Sequence, residues 1–259
     1  MCIRDRPKAK KSLGQNFLVD SGIVNQIFQY VNPDSDDNFL EIGPGKGAIT
    51  KVLLSKANQT HAVEIDDDLL KKLSRIESRG NLHLHNSNIL DFDPREISPN
   101  RLRLIGNLPY NISTPIILWT FKYIDFFQDM HFMFQKEFGD RLVAENNTKN
   151  FGRISVLTQY LTYPKYCFSI KPESFSPKPK VDSVFVRFEP IRSRKFDDPI
   201  TSKLQEVTKI AFMHKRKMVG KSLEKILSAK ELAKLDIDGK LRPENLSVDD
   251  YVKIAETLL

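Results

Sequence analysis

Short apolar runs alternate with helix-like segments through the first two thirds of the chain. The helix-like segments include residues 48–57 and 67–78. The apolar runs that predict strands are NFLEI (38–42), HAVEI (61–65), NLHLH (81–85), RLRLI (101–105) and MHFMF (130–134). Strands that are separated by crossover helices at this spacing are typical of a parallel, doubly wound sheet.

Two later apolar runs have no helix between them. KYCFSI (165–170) and SVFVRFEP (183–190) are joined by a proline-rich loop, so we expect an antiparallel pair that closes one edge of the sheet. Residues 191–200 lose the strand pattern and are interpreted as a linker. The pattern from residue 201 onward is helical. The sequence therefore predicts an α/β domain over residues 8–190 and a small all-helical domain over residues 201–259.

Composition and cysteine usage fit a globular protein in a reducing compartment. The chain has 259 residues, of which 40% are hydrophobic and 28% charged, as is ordinary for a soluble domain. No apolar run approaches the roughly 18 residues of a membrane span. Neither Cys2 nor Cys167 belongs to a CxxC pair, which favours the cytoplasm. The first six residues, MCIRDR, fit no signal peptide.

The five histidines do not form a ligand pattern. His83 and His85 share a strand face, but no third ligand is apparent. We interpret these histidines as structural and expect no metal site.

The positive charge of the chain favours a polyanionic partner. The formal net charge is +7 and the sequence pI is about 9.2. Basic residues crowd the start, at Lys8, Lys10 and Lys11, and recur in HKRKMVGK (214–221). The later cluster supplies the candidate RNA-binding residues Lys215, Arg216, Lys217 and Lys221. A solvated helix face is the alternative interpretation of such a cluster.

A glycine-rich turn follows the first long strand. LEIGPGKGAIT places Gly43, Gly45 and Gly47 between a strand and a helix, where glycine lets the backbone approach a ligand closely. Glu64 ends the next strand, where an acid can accept from both hydroxyls of a ribose. Together they indicate a nucleoside-containing cofactor. Neither feature separates a nicotinamide dinucleotide from S-adenosylmethionine, although the GxGxG spacing favours the latter.

The segment GNLPYN (106–111) follows the fourth strand. Pro109 stiffens this turn and removes a backbone donor, and it keeps Leu108 extended. Asn107 adds a side-chain acceptor and Tyr110 a flat aromatic face. Such a cluster suits a planar base with an amino group, although a simple strand-to-helix turn is the alternative.

At this point several motifs together resemble one family, the KsgA/RsmA family of 16S rRNA adenine N6,N6-dimethyltransferases. They occur in the family's order between about residues 8 and 190, and the likeness extends into FMHKRKMVGKSL (212–223). The motifs are GQNFL (14–18), EIGPGKG (41–47), GNLPYNIST (106–114), MFQKE (133–137), GRISV (152–156) and FSPKPKVDS (175–183).

The resemblance implies a fold and a cofactor. The fold is Rossmann-like, with a mostly parallel seven-stranded sheet that has an antiparallel edge, and with a small helical C-terminal domain that binds RNA. The cofactor is S-adenosylmethionine. The positions that match the family's cofactor contacts are Asn16, Leu18, Gly43, Gly45, Glu64, Asn88 and Asn107.

The resemblance also implies catalytic roles. The matching positions are Asn107, Leu108, Pro109, Tyr110 and Phe175, of which Phe175 matches an aromatic residue beside the target base. One position departs from the pattern, because the family usually has an aspartate where this chain has Asn88. An amide oxygen can still accept a hydrogen bond from an adenine amino group.

The implied activity is methylation of two adjacent adenines near the 3′ end of 16S rRNA. The expected partner is this RNA in an immature small ribosomal subunit, and the expected protein is a cytoplasmic monomer. One rival is an Erm-type 23S rRNA adenine methyltransferase. The 16S interpretation is favoured over it by Leu108, Asp182 and the KRKMVGKSL tail. A second rival is an assembly factor without turnover. A dinucleotide oxidoreductase is disfavoured, because nothing resembles a hydride-transfer site.

Overall fold

The computed structural model describes residues 9–10, 13–76, 78, 80–97 and 101–259. Some features of the sequence lie outside these residues, namely the MCIRDR segment with Cys2, and two members of the first basic cluster, Lys8 and Lys11.

Nine strands occur in the described part of the chain. Their bounds are β1 (Phe17–Leu18), β2 (Asn38–Ile42), β3 (Gln59–Glu64), β4 (Leu82–Asn86), β5 (Leu102–Asn107), β6 (Phe127–Gln135), β7 (Thr162–Ile170), β8 (Phe175–Ser176) and β9 (Ser183–Pro190). Seven of them form one sheet in the order β4-β3-β2-β5-β6-β9-β7. The five strands β4, β3, β2, β5 and β6 run parallel to one another, and β9 is antiparallel to β6. This arrangement confirms the predicted fold class.

The helices follow the strands in the alternating order that the sequence predicts. Their bounds are α1 (Ser21–Val31), α2 (Ala48–Leu54), α3 (Asp67–Leu73), α4 (Ser113–Lys122), α5 (Lys136–Leu142), α6 (Arg153–Leu161), α7 (Pro199–Met213), α8 (Val219–Ser222), α9 (Ala229–Lys234) and α10 (Val248–Thr257).

The first helix shows how local sequence sets an element's start and its buried face. The Asp20 carboxylate accepts hydrogen bonds from the amides of Gly22 and Ile23 and so caps α1. Val24, Ile27 and Val31 of this helix are buried, at the spacing of one helix face. They pack in a core cluster that also contains Phe39 of β2 and Ile105 of β5. A buried apolar core therefore supports this side of the sheet and fixes the positions of the loops at the ends of its strands.

A two-stranded ladder lies apart from the main sheet. β1 pairs antiparallel with β8, with Leu18 opposite Phe175 and Phe17 opposite Ser176. This long-range pairing was not predicted, because two-residue strands carry no periodicity. It fixes the N-terminal segment, residues 13–18, relative to a segment from much later in the chain.

The chain divides by its internal contacts into two compact units. The first comprises residues 1–139 and 166–188, and the second comprises residues 140–165 and 189–259. In the second unit, α6, α7 and α10 pack against one another, and the hydroxyl of the buried Tyr251 donates to the Pro243 carbonyl at 2.7 Å. The predicted domain bounds remain a prediction, and the sequence pattern did not indicate that residues 140–165 group with the C-terminal helices.

Candidate active site

A cavity of about 300 Å³ lies at the carboxyl ends of β2, β3 and β5. Ligands of open α/β sheets bind at this end of the strands, where the helix and loop termini converge. The N-terminal segment contributes to the wall of the cavity. The predicted site residues that line it are Asn16, Leu18, Gly43, Gly45, Glu64, Asn88, Asn107, Leu108, Pro109 and Tyr110.

The glycine turn exposes its backbone to this cavity. Gly43 has a φ of +61°, a left-handed conformation that glycine adopts readily, and a Cβ at this position would meet nothing within 4 Å. Its amide donates to the Val63 carbonyl at 3.0 Å, which ties the turn to β3. The backbone at Gly43 therefore lies open to a ligand while its position is fixed.

The Glu64 carboxylate is held by backbone amides. It accepts hydrogen bonds from Gly45 N at 3.3 Å, Ile65 N at 3.0 Å and Asp66 N at 3.0 Å. Burial raises the pKa of Glu64, and these backbone hydrogen bonds partly offset the rise. The residue is 6% exposed. Its oxygens are thus preorganised acceptors at the cavity wall, the arrangement that suits the hydroxyls of a ribose.

Asn88 caps a short 3₁₀-helix at the cavity, Ile89–Asp91. Its side-chain oxygen accepts from Leu90 N at 3.2 Å, and its amide nitrogen donates to Asp91 Oδ2 at 3.0 Å. The two bonds fix the orientation of the amide. The role of Asn88 in cofactor binding remains a prediction.

The N-terminal segment orients Asn107, the last residue of β5. The Asn107 amide nitrogen donates to the Asn16 carbonyl at 2.8 Å. The segment is itself fastened to Asp66, which accepts from Gln15 Nε2 at 3.0 Å and from Lys10 Nζ at 2.7 Å. Because the Asn107 nitrogen is used in this way, its side-chain oxygen is the atom left to accept a further hydrogen bond.

The residues after Asn107 form a stiff turn. Leu108 N donates to the Met133 carbonyl at 3.3 Å, and Ser113 Oγ donates to the Pro109 carbonyl at 3.2 Å. The Tyr110 hydroxyl is hydrogen-bonded to Ser183 Oγ at 2.7 Å. Burial raises the pKa of Tyr110, so the phenol stays neutral. The ring of Tyr110 is held in one orientation at the cavity wall.

Phe175 is the one predicted catalytic residue that is not part of the cavity wall. Its side chain is 3% exposed and packs in the same core cluster as Phe39 and Ile105. It lies opposite Leu18, which does line the cavity. Its predicted contact with a base remains a prediction.

Two residues at the cavity were not recognised from the sequence. Ile65 follows the strand-end acid and is 51% exposed, an unusual position for a large apolar side chain. Glu41 lies within the apolar strand β2 and is 2% exposed. The signal for Glu41 was present in the sequence, since a charged residue inside a buried strand needs a reason to be there.

The four basic residues predicted to bind RNA belong to the second compact unit. The Lys215 ammonium donates to the carbonyls of Lys149, at 2.7 Å, and Phe151, at 3.3 Å. Lys221 lies 3.6 Å from the Glu224 carboxylate. Arg216 and Lys217 are exposed, and their side chains have no partner among the described residues. The RNA-binding role of all four remains a prediction.

The described residues offer neither a metal site nor a membrane span. Within the described ranges, no three His, Cys, Asp or Glu side chains are grouped so that they could hold a metal ion. No helix in the same part of the chain has the length and apolar character to cross a membrane.

Comparisons with known proteins give a family. The family model for ribosomal RNA adenine dimethylase matches residues 6–259. A ribosomal RNA small subunit methyltransferase A of Legionella pneumophila (strain Corby) is 46% identical over 252 residues, which cover 97% of this chain and 98% of the relative. A protein of the same name from Dechloromonas aromatica (strain RCB) is 44% identical over 96% of this chain and 98% of its own length.

Two solved enzyme structures have the same fold. A dimethyladenosine transferase from Plasmodium falciparum has a TM-score of 0.80 and is 25% identical, with 92% of this chain and 95% of that chain covered. The 23S rRNA methyltransferase ErmE has a TM-score of 0.74 at 22% identity, with 94% of this chain and 99% of that chain covered, and it shows the fold alone. The match over nearly the whole length means that this chain belongs to the ribosomal RNA adenine dimethylase family.

Proposed function

We propose that the protein transfers methyl groups from S-adenosylmethionine to the N6 amines of two adjacent adenines near the 3′ end of 16S rRNA. The observation that carries the proposal is the assembly of the cavity. The residues that the family resemblance assigns to the cofactor and residues 107–110 of the catalytic turn all line the same cavity. The relatives that match over nearly the full length are named as small-subunit rRNA methyltransferases.

The cavity fits the proposed cofactor. Glu64 offers fixed oxygens for the ribose hydroxyls, and the open backbone at Gly43 leaves room for close approach of a ligand. Asn16 and Leu18 of the N-terminal segment and Asn88 complete the contacts that the resemblance implies. When it is bound, S-adenosylmethionine supplies a methyl group that its sulfonium already activates.

The catalytic turn then acts on the adenine. The N6 amine is a poor nucleophile, because its lone pair is conjugated into the ring. Hydrogen bonds from the amino hydrogens to Asn107 Oδ1 and to the Leu108 carbonyl favour a more tetrahedral nitrogen. The ring of Tyr110 stacks on the base and tolerates the positive charge that develops there. Phe175 is proposed as the second stacking partner.

The RNA substrate needs contacts beyond the cavity. An adenine reaches such a cavity only from a loop or when it is flipped out of its stack. The exposed Arg216 and Lys217 lie in the turn between α7 and α8, and not on a helix as the sequence pattern predicts. We propose that basic residues of this turn hold phosphates of the immature small subunit. A monomer in the cytoplasm, where ribosomes are assembled, is sufficient for this reaction.

The cofactor assignment is tested by calorimetry with S-adenosylmethionine, S-adenosylhomocysteine and NAD. We expect saturable binding of the first two. Binding of NAD in their place would overturn the assignment.

The substrate assignment is tested by mass spectrometry of rRNA from cells that lack the gene. We expect the loss of N6,N6-dimethyladenosine from 16S rRNA with 23S rRNA unchanged. A loss from 23S rRNA would support the Erm-type alternative, and unchanged modification of both RNAs would support an assembly factor without turnover.

A further inference from the structure

Glu41 is a buried carboxyl group at the cavity that the proposed mechanism does not use. It lies in β2, two residues before Gly43, and is 2% exposed. Its Oε2 atom has no hydrogen-bond partner in the part of the chain that the structure describes. A buried carboxylate is strongly unfavourable when one of its oxygens has no partner and no cation lies beside it. Such a group therefore either holds a proton or faces a positive charge.

The surroundings of Glu41 favour the protonated form in the free protein. Burial raises the pKa of Glu41 to about 7, Thr50 partly offsets the rise, and the Glu64 carboxylate adds to it. Thr50 lies in α2, and its hydroxyl also lacks a hydrogen-bond partner of good geometry among the described residues. Neither Thr50 nor Glu64 is a cation that could neutralise the Glu41 carboxylate.

Among the described residues, no cation contributes to the pKa shift of Glu41. Its neighbours in the sheet are Ala62 of β3 and Ile105 of β5. Helix α1 contains no charged residue, and neither does the N-terminal segment 13–18. Lys46 lines the same cavity, but its ammonium lies over the Phe17 ring at 4.5 Å from the centroid.

We propose that Glu41 is a proton-linked binding residue for the positively charged methyl donor. At neutral pH it holds a proton in part of the free protein, and it releases that proton to the solvent when the charged ligand binds, so that a carboxylate then faces the ligand's positive charge. The proposal rests on the proposed cofactor, which carries an ammonium and a sulfonium group. The ordered carboxylate of Glu64 would then bind the ribose hydroxyls, and the Glu41 carboxylate would stabilise the positive charge of the ligand.

The test is calorimetry of S-adenosylmethionine and S-adenosylhomocysteine binding in buffers of different ionisation enthalpy. The proteins are the wild type, Glu41→Gln, and Glu256→Gln as a control for loss of an exposed glutamate in α10. Glutamine keeps the shape of a protonated glutamate and cannot release a proton. Thermal melts check that all three proteins are folded. The ligand's own ammonium titrates equally in each, so the difference between proteins isolates Glu41.

We expect the wild type to release about half a proton more than Glu41→Gln at pH 7, since a group with a pKa of about 7 is half protonated there. The wild-type affinity should rise about tenfold more than that of Glu41→Gln between pH 6 and pH 8. Glu256→Gln should follow the wild type. Release with both ligands means that Glu41 meets the ammonium, whereas release with S-adenosylmethionine alone means that it meets the sulfonium.

Equal proton release by the wild type and Glu41→Gln would overturn the proposal while leaving the proposed function intact. Failure of all three folded proteins to bind S-adenosylmethionine would instead overturn the proposed cofactor, and the role of Glu41 with it.

Discussion

Glu64 and Glu41 are buried glutamates on neighbouring strands, and both line the same cavity. Their carboxyl groups differ in the hydrogen bonds that they accept. Glu64 accepts backbone hydrogen bonds from Gly45, Ile65 and Asp66. Glu41 has one oxygen without any partner in the described structure. Burial raises both pKa values. Three backbone amides offset the rise at Glu64, whereas only Thr50 offsets it at Glu41.

The difference shows how environment, and not residue type, sets the role of a carboxyl group. Fixed amides make Glu64 a ready acceptor whose geometry is complete before a ligand binds. Glu41 has Thr50 beside it but no partner at its Oε2 atom, so its charge state can respond to the ligand. The same contrast recurs in the second compact unit, where Lys215 is bonded to two carbonyls and Arg216 and Lys217 have no partner among the described residues.

A third cavity residue sharpens the comparison, because its effect is expected in turnover rather than in cofactor affinity. Asn107→Ala should lower kcat roughly a hundredfold to a thousandfold, as the removal of one transition-state hydrogen-bond partner does elsewhere. Cofactor affinity should fall much less, since Asn16 and Glu64 remain. Single-turnover methylation of small subunits measures the rate, with the exposed Asn150→Ala as control. Near-normal turnover would make Asn107 only a turn residue.

The burial of Glu41 should also make the free energy of unfolding depend on pH. Its folded-state pKa of about 7 lies above the ordinary glutamate value of 4.5, so folding favours its protonated form. Its contribution to stability is therefore full below about pH 4.5 and is lost as the pH rises to about 7. A shift of this size corresponds to about 3 kcal/mol at most.

We predict that Glu41→Gln has nearly the wild-type free energy of unfolding at pH 5 and is more stable than the wild type at pH 8. Urea unfolding without cofactor at both pH values measures the difference. A difference between the two proteins that does not change with pH would contradict the assignment of a raised pKa to Glu41.

Removing the partnered carboxylate should weaken cofactor binding. Glu64→Ala should lower the affinity for S-adenosylmethionine about tenfold to a hundredfold, because hydrogen bonds to a charged group contribute about 1.5–3 kcal/mol. Glu64→Gln should bind with intermediate affinity, since one amide oxygen remains. Calorimetry at pH 8, where Glu41 is largely ionised, separates this effect from proton release. If Glu64→Ala bound as tightly as the wild type, the ribose would have to be held elsewhere.

The smallest effect is expected in the C-terminal unit. If Arg216 and Lys217 contact phosphates, the double glutamine variant should flatten the plot of log affinity against log salt by about 0.7–0.9 for each lost contact. The double glutamine variant at Lys230 and Lys234, in α9, removes the same charge elsewhere in the unit and should not change the slope. Salt titrations on immature small subunits measure both. Identical slopes for the wild type and the Arg216 and Lys217 variant would mean a solvated surface.

Local pattern predicted the strands well and the long-range contacts poorly. NFLEI gave the bounds of β2, residues 38–42, without error, because the run is apolar and ends at a glycine turn. MHFMF was too short, since β6 extends over Phe127–Gln135 and includes the polar Gln128 and Asp129. The pairing of Leu18 with Phe175 had no local signal and depended on the tertiary fold.

The site could be predicted to the extent that motifs specify it. The glycine turn and Glu64 follow from strand-end chemistry, and the structure brings them together with Asn107. The hydrogen bond from Asn107 to the Asn16 carbonyl joins distant segments, so no spacing rule could give it. Glu41 was missed because periodicity predicts that a strand is buried but carries no information on whether each polar atom in it has a hydrogen-bond partner.

Methyl transfer with purified components tests the proposed function most directly. The protein is incubated with labelled S-adenosylmethionine and with either immature small subunits or 23S rRNA, and the RNA is digested and analysed by mass spectrometry. We predict N6,N6-dimethyladenosine at two adjacent adenines near the 3′ end of 16S rRNA, no label in 23S rRNA, and no product with Asn107→Ala on the same time scale. Label in 23S rRNA alone, or label in neither RNA from a protein that binds the cofactor, would contradict the proposed function.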